Sequence, residues 1–71
     1  MIKELDLRDS SNVKRAAWDD ETMELQVEFH SGSRGSYLAV PEHEVGSFER
    51  ATSHGSYIHD YIKPLYVWRK G

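Results

Sequence analysis

The segment "ATSHGSYIHDYIK", residues 51–63, gathers Ser53, His54, Ser56, Tyr57, His59 and Tyr61 around Gly55, with Ile58 and Ile62 between them. Hydroxyls, imidazoles and phenols at this density are the materials of an anion-binding loop, a metal site or a nucleophilic centre. A Gly/Ser loop leading into a helix exposes backbone N–H groups that can receive a phosphate. The same residues also describe a break between two short helices, with Gly55 ending one and Ser53 and Ser56 acting as caps. Capping is their commoner use, so the helix break ranks first and the binding loop second.

The candidate ligand contacts are Ser53, Gly55, Ser56 and Tyr57 in this loop, Tyr37 as a ring for a base, and Lys63 and Arg69 as countercharges. An anion is expected against the N–H groups of Ser56 and Tyr57. Catalysis has less support. His54 and His59 stand five residues apart across a glycine, which matches no common zinc spacing, and His30 and His43 sit beside a loop and near a helix start. No spacing joins a histidine to a Ser and a carboxylate as a triad. Residues 31–35, "SGSRG", lack the Gly-Lys-Ser/Thr of a phosphate-binding P-loop and read as a hairpin loop. The expectation is a non-enzymatic chain without metal or cofactor.

Composition sets the scale. Seventy-one residues allow one domain with a small core, and cysteine is absent, so neither disulfides nor thiolate metal sites contribute. No apolar run reaches the length of a membrane span and the first residues lack a signal-peptide core, so a soluble cytoplasmic protein is expected. The net charge of −3 disfavours general adhesion to nucleic acid. That charge is uneven. Residues 1–49 carry five Lys/Arg against eleven Asp/Glu, a net of −6, whereas Arg50, Lys63, Arg69 and Lys70 face only Asp60 in residues 50–71, a net of +3.

The elements that must position these residues are an antiparallel meander and a helical pair. Met23, Leu25, Val27 and Phe29 alternate with Glu24, Gln26 and Glu28, the period of a half-buried strand. Val13 to Trp18 precedes it across a "DDET" turn, and Ser36 to Val40 follows across "HSGSRG". Pro41 can open a helix whose first turn holds Glu42 and Glu44, with Val45, Phe48, Ala51 and Thr52 at helical spacing. After Gly55, Ser56 is placed to cap a second helix from Tyr57, which Pro64 ends at Lys63. The tail "LYVWRKG" reads as a short strand or an extended arm. The fold class expected is α+β: a three-stranded antiparallel β-meander followed by two short C-terminal helices. Leu25, Val27, Phe29, Val45, Phe48, Ile58 and Ile62 form its expected core.

With these elements in place the spacing resembles the KTSC domain, a family named for a C-terminal extension of some lysyl-tRNA synthetases. The matching residues run from Ser10 and Ser11 through Leu25, Val27, Phe29, Gly32, Tyr37, Val40 and Pro41, then Ala51, Ser53, Gly55, Tyr57, Ile62, Lys63 and Tyr66. The resemblance implies one domain over 10–71 with 1–9 as a lead-in, in a free-standing bacterial or phage protein. It brings no established activity, and its synthetase context suggests RNA. One position departs from the family pattern. Gly35 stands where the first ring of a central Tyr-x-Tyr is expected, so either a stacking platform is lost or Trp18 or Trp68 fills the space.

The leading expectation is therefore a non-catalytic binding module for RNA or a nucleotide, working through Ser53–Tyr57 with nearby Tyr and basic residues. The alternatives are a protein-interaction or assembly module using the aromatic tail, and a small protein that sequesters a signalling nucleotide. Trp18, Tyr66 and Trp68 exceed what so small a core needs, which suggests self-association.

Overall fold

Alternation in the central strand places Leu25 and Val27 on one face and Glu24, Gln26 and Glu28 on the other. The computed structural model, which describes residues 1–8, 10 and 12–71, builds a five-stranded sheet around it. The strands are β1 (Ile2–Glu4), β2 (Val13–Asp19), β3 (Glu24–Phe29), β4 (Arg34–Tyr37) and β5 (Trp68–Lys70), in that spatial order and antiparallel throughout. Helix α1 spans Glu42–Glu49, and a short α2, His54–Tyr57, runs directly into a π-helical segment, Ile58–Ile62.

The class is α+β, but the sheet has five strands where the sequence suggested three. The additional two are edge strands of three residues each, too short to display a period. They exist because a neighbour offers unpaired backbone groups. Ile2 pairs with Asp19 and Glu4 with Ala17, while Tyr37 pairs with Trp68 and Gly35 with Lys70. The segment that follows β1 places Leu5 and Leu7 in the core. Ser11 of the family spacing lies outside the described residues, whereas Ser10 accepts a hydrogen bond from the Val13 N–H at 3.1 Å.

Two strand boundaries differ from expectation, and both depend on left-handed backbone. Met23, expected in β3, has φ +60° and closes the preceding turn, its N–H donating to the Asp19 carbonyl at 2.7 Å. The strand accordingly starts at Glu24. β4 runs over 34–37 and stops before Ala39, where φ +57° redirects the chain toward α1. A non-glycine residue in this region costs about 1–2 kcal/mol, so packing must hold it there. Val40 provides that hold. It is fully buried, its N–H donates to the Met23 carbonyl at 2.8 Å, and its carbonyl accepts from Trp18 Nε1 at 2.9 Å.

Both helices lie on the Leu25/Val27 face. Val45 and Phe48 of α1 are buried there, whereas Ala51 and Thr52 fall beyond the helix, which ends at Glu49 with Arg50 as its C-cap. Pro41 occupies the N-cap position, one residue before the helix proper. Ile58 and Ile62 complete the core from the π-helical segment. Phe29 is only half-buried, contrary to its expected core role, because it lies at the end of β3 beside an open groove.

Candidate functional site

The loop around Gly55 is a helix start. Ser53 is the N-cap of α2, its Oγ accepting from the Ser56 N–H at 3.4 Å, and the Tyr57 N–H donates to the Ser53 carbonyl at 3.0 Å. The two N–H groups expected to meet an anion are thus engaged inside the first turn. The helix begins at His54, three residues before the expected Tyr57, and Gly55 and Ser56 belong to it. Both serines can cap, and packing selects the first. His54 is buried, with Nε2 3.1 Å from the Glu49 carbonyl and its ring edge-on to Phe48 at 5.3 Å. Gly55 lies so close to Asn12 that a Cβ would strike the Asn12 side chain.

Tyr57 points toward α1. Its hydroxyl donates to Glu44 Oε2, and the Tyr66 hydroxyl donates to Glu44 Oε1 at 3.2 Å. One carboxylate therefore ties α1 to α2 and to the segment leading into β5. Burial first, and the Glu44 carboxylate second, push the Tyr57 phenol up to about 12. Tyr66 is raised by the same two influences. The Tyr57 ring packs on Tyr61 at 4.8 Å and on Phe48 at 6.0 Å.

The remaining candidates meet elsewhere. A groove of about 450 Å³ opens between the π-helical segment and the β4–β5 end of the sheet. Phe29, Tyr37, Gly55, Ile58, His59, Lys63 and Trp68 line it, together with the hydroxyl residues Ser31 and Ser33. The π turn sets the helical wall. The Lys63 N–H donates to the Ile58 carbonyl at 2.7 Å, an i to i+5 bond that brings Lys63 above Ile58 on the groove side. The opposite wall is aromatic, with Trp68 4.8 Å from Tyr37 and 6.2 Å from Phe29 between ring centroids. Tyr37 is buried, which raises its phenol, so the accessible ring is that of Trp68, 36% exposed.

Of the seven residues singled out from the sequence, the structure brings Tyr37, Gly55 and Lys63 together. Ser53 and Ser56 cap α2, Tyr57 is turned to Glu44, and Arg69 lies on the other face of the sheet. The last follows from strand alternation. Trp68 shares the Tyr37 face, so Arg69 must face away, and its Nη2 contacts both Glu24 carboxylate oxygens at 2.8 Å. Sequence reading missed Trp68, Phe29 and His59 as lining residues. The aromatic tail was visible as an apolar excess, but only the β4–β5 register decides which of its rings turns inward. That register also resolves Gly35: a Cβ there would stand 2.5 Å from the Trp68 indole and from the Arg69 carbonyl oxygen. Trp68 occupies the space, whereas Trp18 is committed to Val40.

The uncovered sheet face forms a second trough, of about 400 Å³, floored by Ala17, Gln26 and Ser36. Among the described residues no aromatic ring lines it, its Arg15 pairs with its Glu4 at 3.7 Å, and the Arg69–Glu24 pair lies on the same sheet face. Among the described residues three metal-type side chains gather only at the turn Asp19, Asp20 and Glu21, where the N-terminal ammonium contacts Asp20 at 2.5 Å and Glu21 at 3.1 Å. Among the described residues no helix is long and apolar enough to cross a membrane.

Comparison with known proteins agrees with this architecture. An uncharacterized protein from Stutzerimonas stutzeri is 36% identical over 62 residues, covering 84% of this chain and 87% of that protein. The crystal structure of a KTSC domain protein from Yersinia pestis superposes with a TM-score of 0.85 at 26% identity, over 100% of this chain and 99% of the other. The KTSC domain model matches residues 9–66, most of the length, and the chain belongs to the KTSC domain family.

Proposed function

We propose that this protein is a non-catalytic binding module for RNA or a nucleotide, and that its site is the Trp68–Lys63 groove. The carrying observation is the meeting of a partly exposed indole with an exposed ammonium across one cleft, with Ser31, Ser33 and His59 around it. A base stacks on an aromatic side chain for about 1–3 kcal/mol irrespective of its identity, and the ammonium supplies the phosphate contact. This reading keeps Tyr37, Gly55 and Lys63 from the sequence and replaces the helix-start amides with the groove. Two of the four histidines have structural partners, since His54 is buried with Nε2 against the Glu49 carbonyl and His30 Nε2 lies 3.2 Å from the Ser10 carbonyl.

The molecule carries its own reporter. Trp18 is buried, so ligand at the groove should quench only Trp68. Titration with nucleotides and short RNAs should give saturable quenching that disappears in Trp68→Phe. Lys63→Ala should weaken it about tenfold, equivalent to about 1.4 kcal/mol. Absence of both quenching and thermal stabilisation across the panel would sink the proposal.

A second reading has one observation in its favour. Tyr61, Leu65 and Val67 are 56%, 70% and 68% exposed near the C-terminal end, a set of side chains suited to a protein partner or a second copy. Concentration-dependent sedimentation that collapses in Leu65→Ser would support it.

A further inference from the structure

The groove has room and charge for one nucleotide unit. We infer that the recognised group is a single base carrying one phosphate, whether a free nucleoside monophosphate or the phosphorylated end of an RNA. This inference rests on the proposed nucleotide-binding role of the groove. Its first support is the aromatic wall. Of the three Phe, Tyr and Trp rings among the described lining residues, Tyr37 is buried and Phe29 half-buried, which leaves Trp68 as the exposed one. A track for several bases needs successive exposed rings.

The second support is the charge distribution. Among the described residues Lys63 is the one lysine or arginine lining the groove. His59, beside it, has Nδ1 3.1 Å from Asp60 Oδ1, which puts a carboxylate next to the imidazole. Of the cations near β5, Arg69 lies on the other face and is held by Glu24, and Lys70 points along the Trp68 side at the far end of the strand. Residues 1–49, which supply the rest of the sheet, bear a net −6 and would repel a second and third phosphate. The cavity of about 450 Å³ lies in the usual range for a small-molecule site, not that of an extended channel.

Adenosine, adenosine 5′-monophosphate and an oligoadenylate about six nucleotides long, with and without a 5′-phosphate, discriminate the alternatives through Trp68 fluorescence over a range of salt. The monophosphate should bind about tenfold tighter than the nucleoside. Its affinity should fall as added salt screens the ammonium–phosphate contact, and that dependence should vanish in Lys63→Ala and Lys63→Gln, with folding verified by circular dichroism. The 5′-phosphorylated oligomer, which has one such end, should bind about as tightly as the monophosphate with a slope of one single-strand phosphate, about −0.7 on logarithmic axes, and the oligomer lacking the 5′-phosphate should bind no better than the nucleoside. An oligomer slope of about two phosphates or more, or a nucleoside that binds as well as the monophosphate, overturns the single-unit inference while leaving nucleotide binding intact. If nothing in the series alters Trp68 emission, the parent reading fails and this inference falls with it.

Discussion

Trp68 lies directly over Gly35, so the absence of a side chain on β4 is what lets the indole form the groove wall. Gly35→Ala places a methyl group where the indole and the Arg69 carbonyl now stand. The expected result is loosening of β5 from β4, a loss of about 1–3 kcal/mol as in other overpacked sites, and a red-shifted Trp68 emission. Chemical denaturation and the emission maximum would check both. An unshifted spectrum with wild-type stability would show that Trp68 does not rest there.

Glu44 holds two phenols, so the helical layer should respond to alkali. For Tyr57 the unfolded pKa is near 10 and the folded value about 12. A raised pKa means that folding favours the protonated phenol. Its contribution is complete below pH 10 and is lost as pH climbs toward 12. Melting temperature should fall across that interval, and by less in Tyr57→Phe, which itself should cost about 0.5–1.5 kcal/mol at neutral pH.

Phe48 is fully buried beneath α1 and touches His54 and Tyr57. Truncation to Ala should cost about 3–5 kcal/mol. A domain this small holds only about 5–10 kcal/mol in total, so Phe48→Ala should melt near or below room temperature by circular dichroism. Phe29→Ala, at the half-buried groove edge, should cost clearly less.

Ser53 separates capping from ligand binding. Its hydrogen bond to the Ser56 N–H is long, so Ser53→Ala should lower stability by about 0.5–1 kcal/mol, the weak end of the N-cap range. Quenching of Trp68 by nucleotides should keep its midpoint. A lost affinity at unchanged melting temperature would return the serine to the binding site.

What the sequence determines by itself is everything set by local period and punctuation. The alternation at 24–29 specifies β3 and its faces, Pro41 marks the approach to α1, and Pro64 accounts for the end of the helical segment at Ile62, with Lys63 as its C-cap. The family spacing is likewise a one-dimensional property. The tertiary structure decides whatever depends on a distant neighbour. Strands of three residues carry no readable period, so β1 and β5 appear only because β2 and β4 have free edges. Ser53 and Ser56 are chemically equivalent caps, and the burial of His54 and the contact of Gly55 with Asn12 choose between them. Tyr57 and Tyr37 look alike in sequence, yet Glu44 claims one and the β4–β5 register turns the other toward Trp68. The groove draws on side chains from residue 29 to residue 68, and no local signal can report a surface whose walls meet only when the sheet closes onto the π turn.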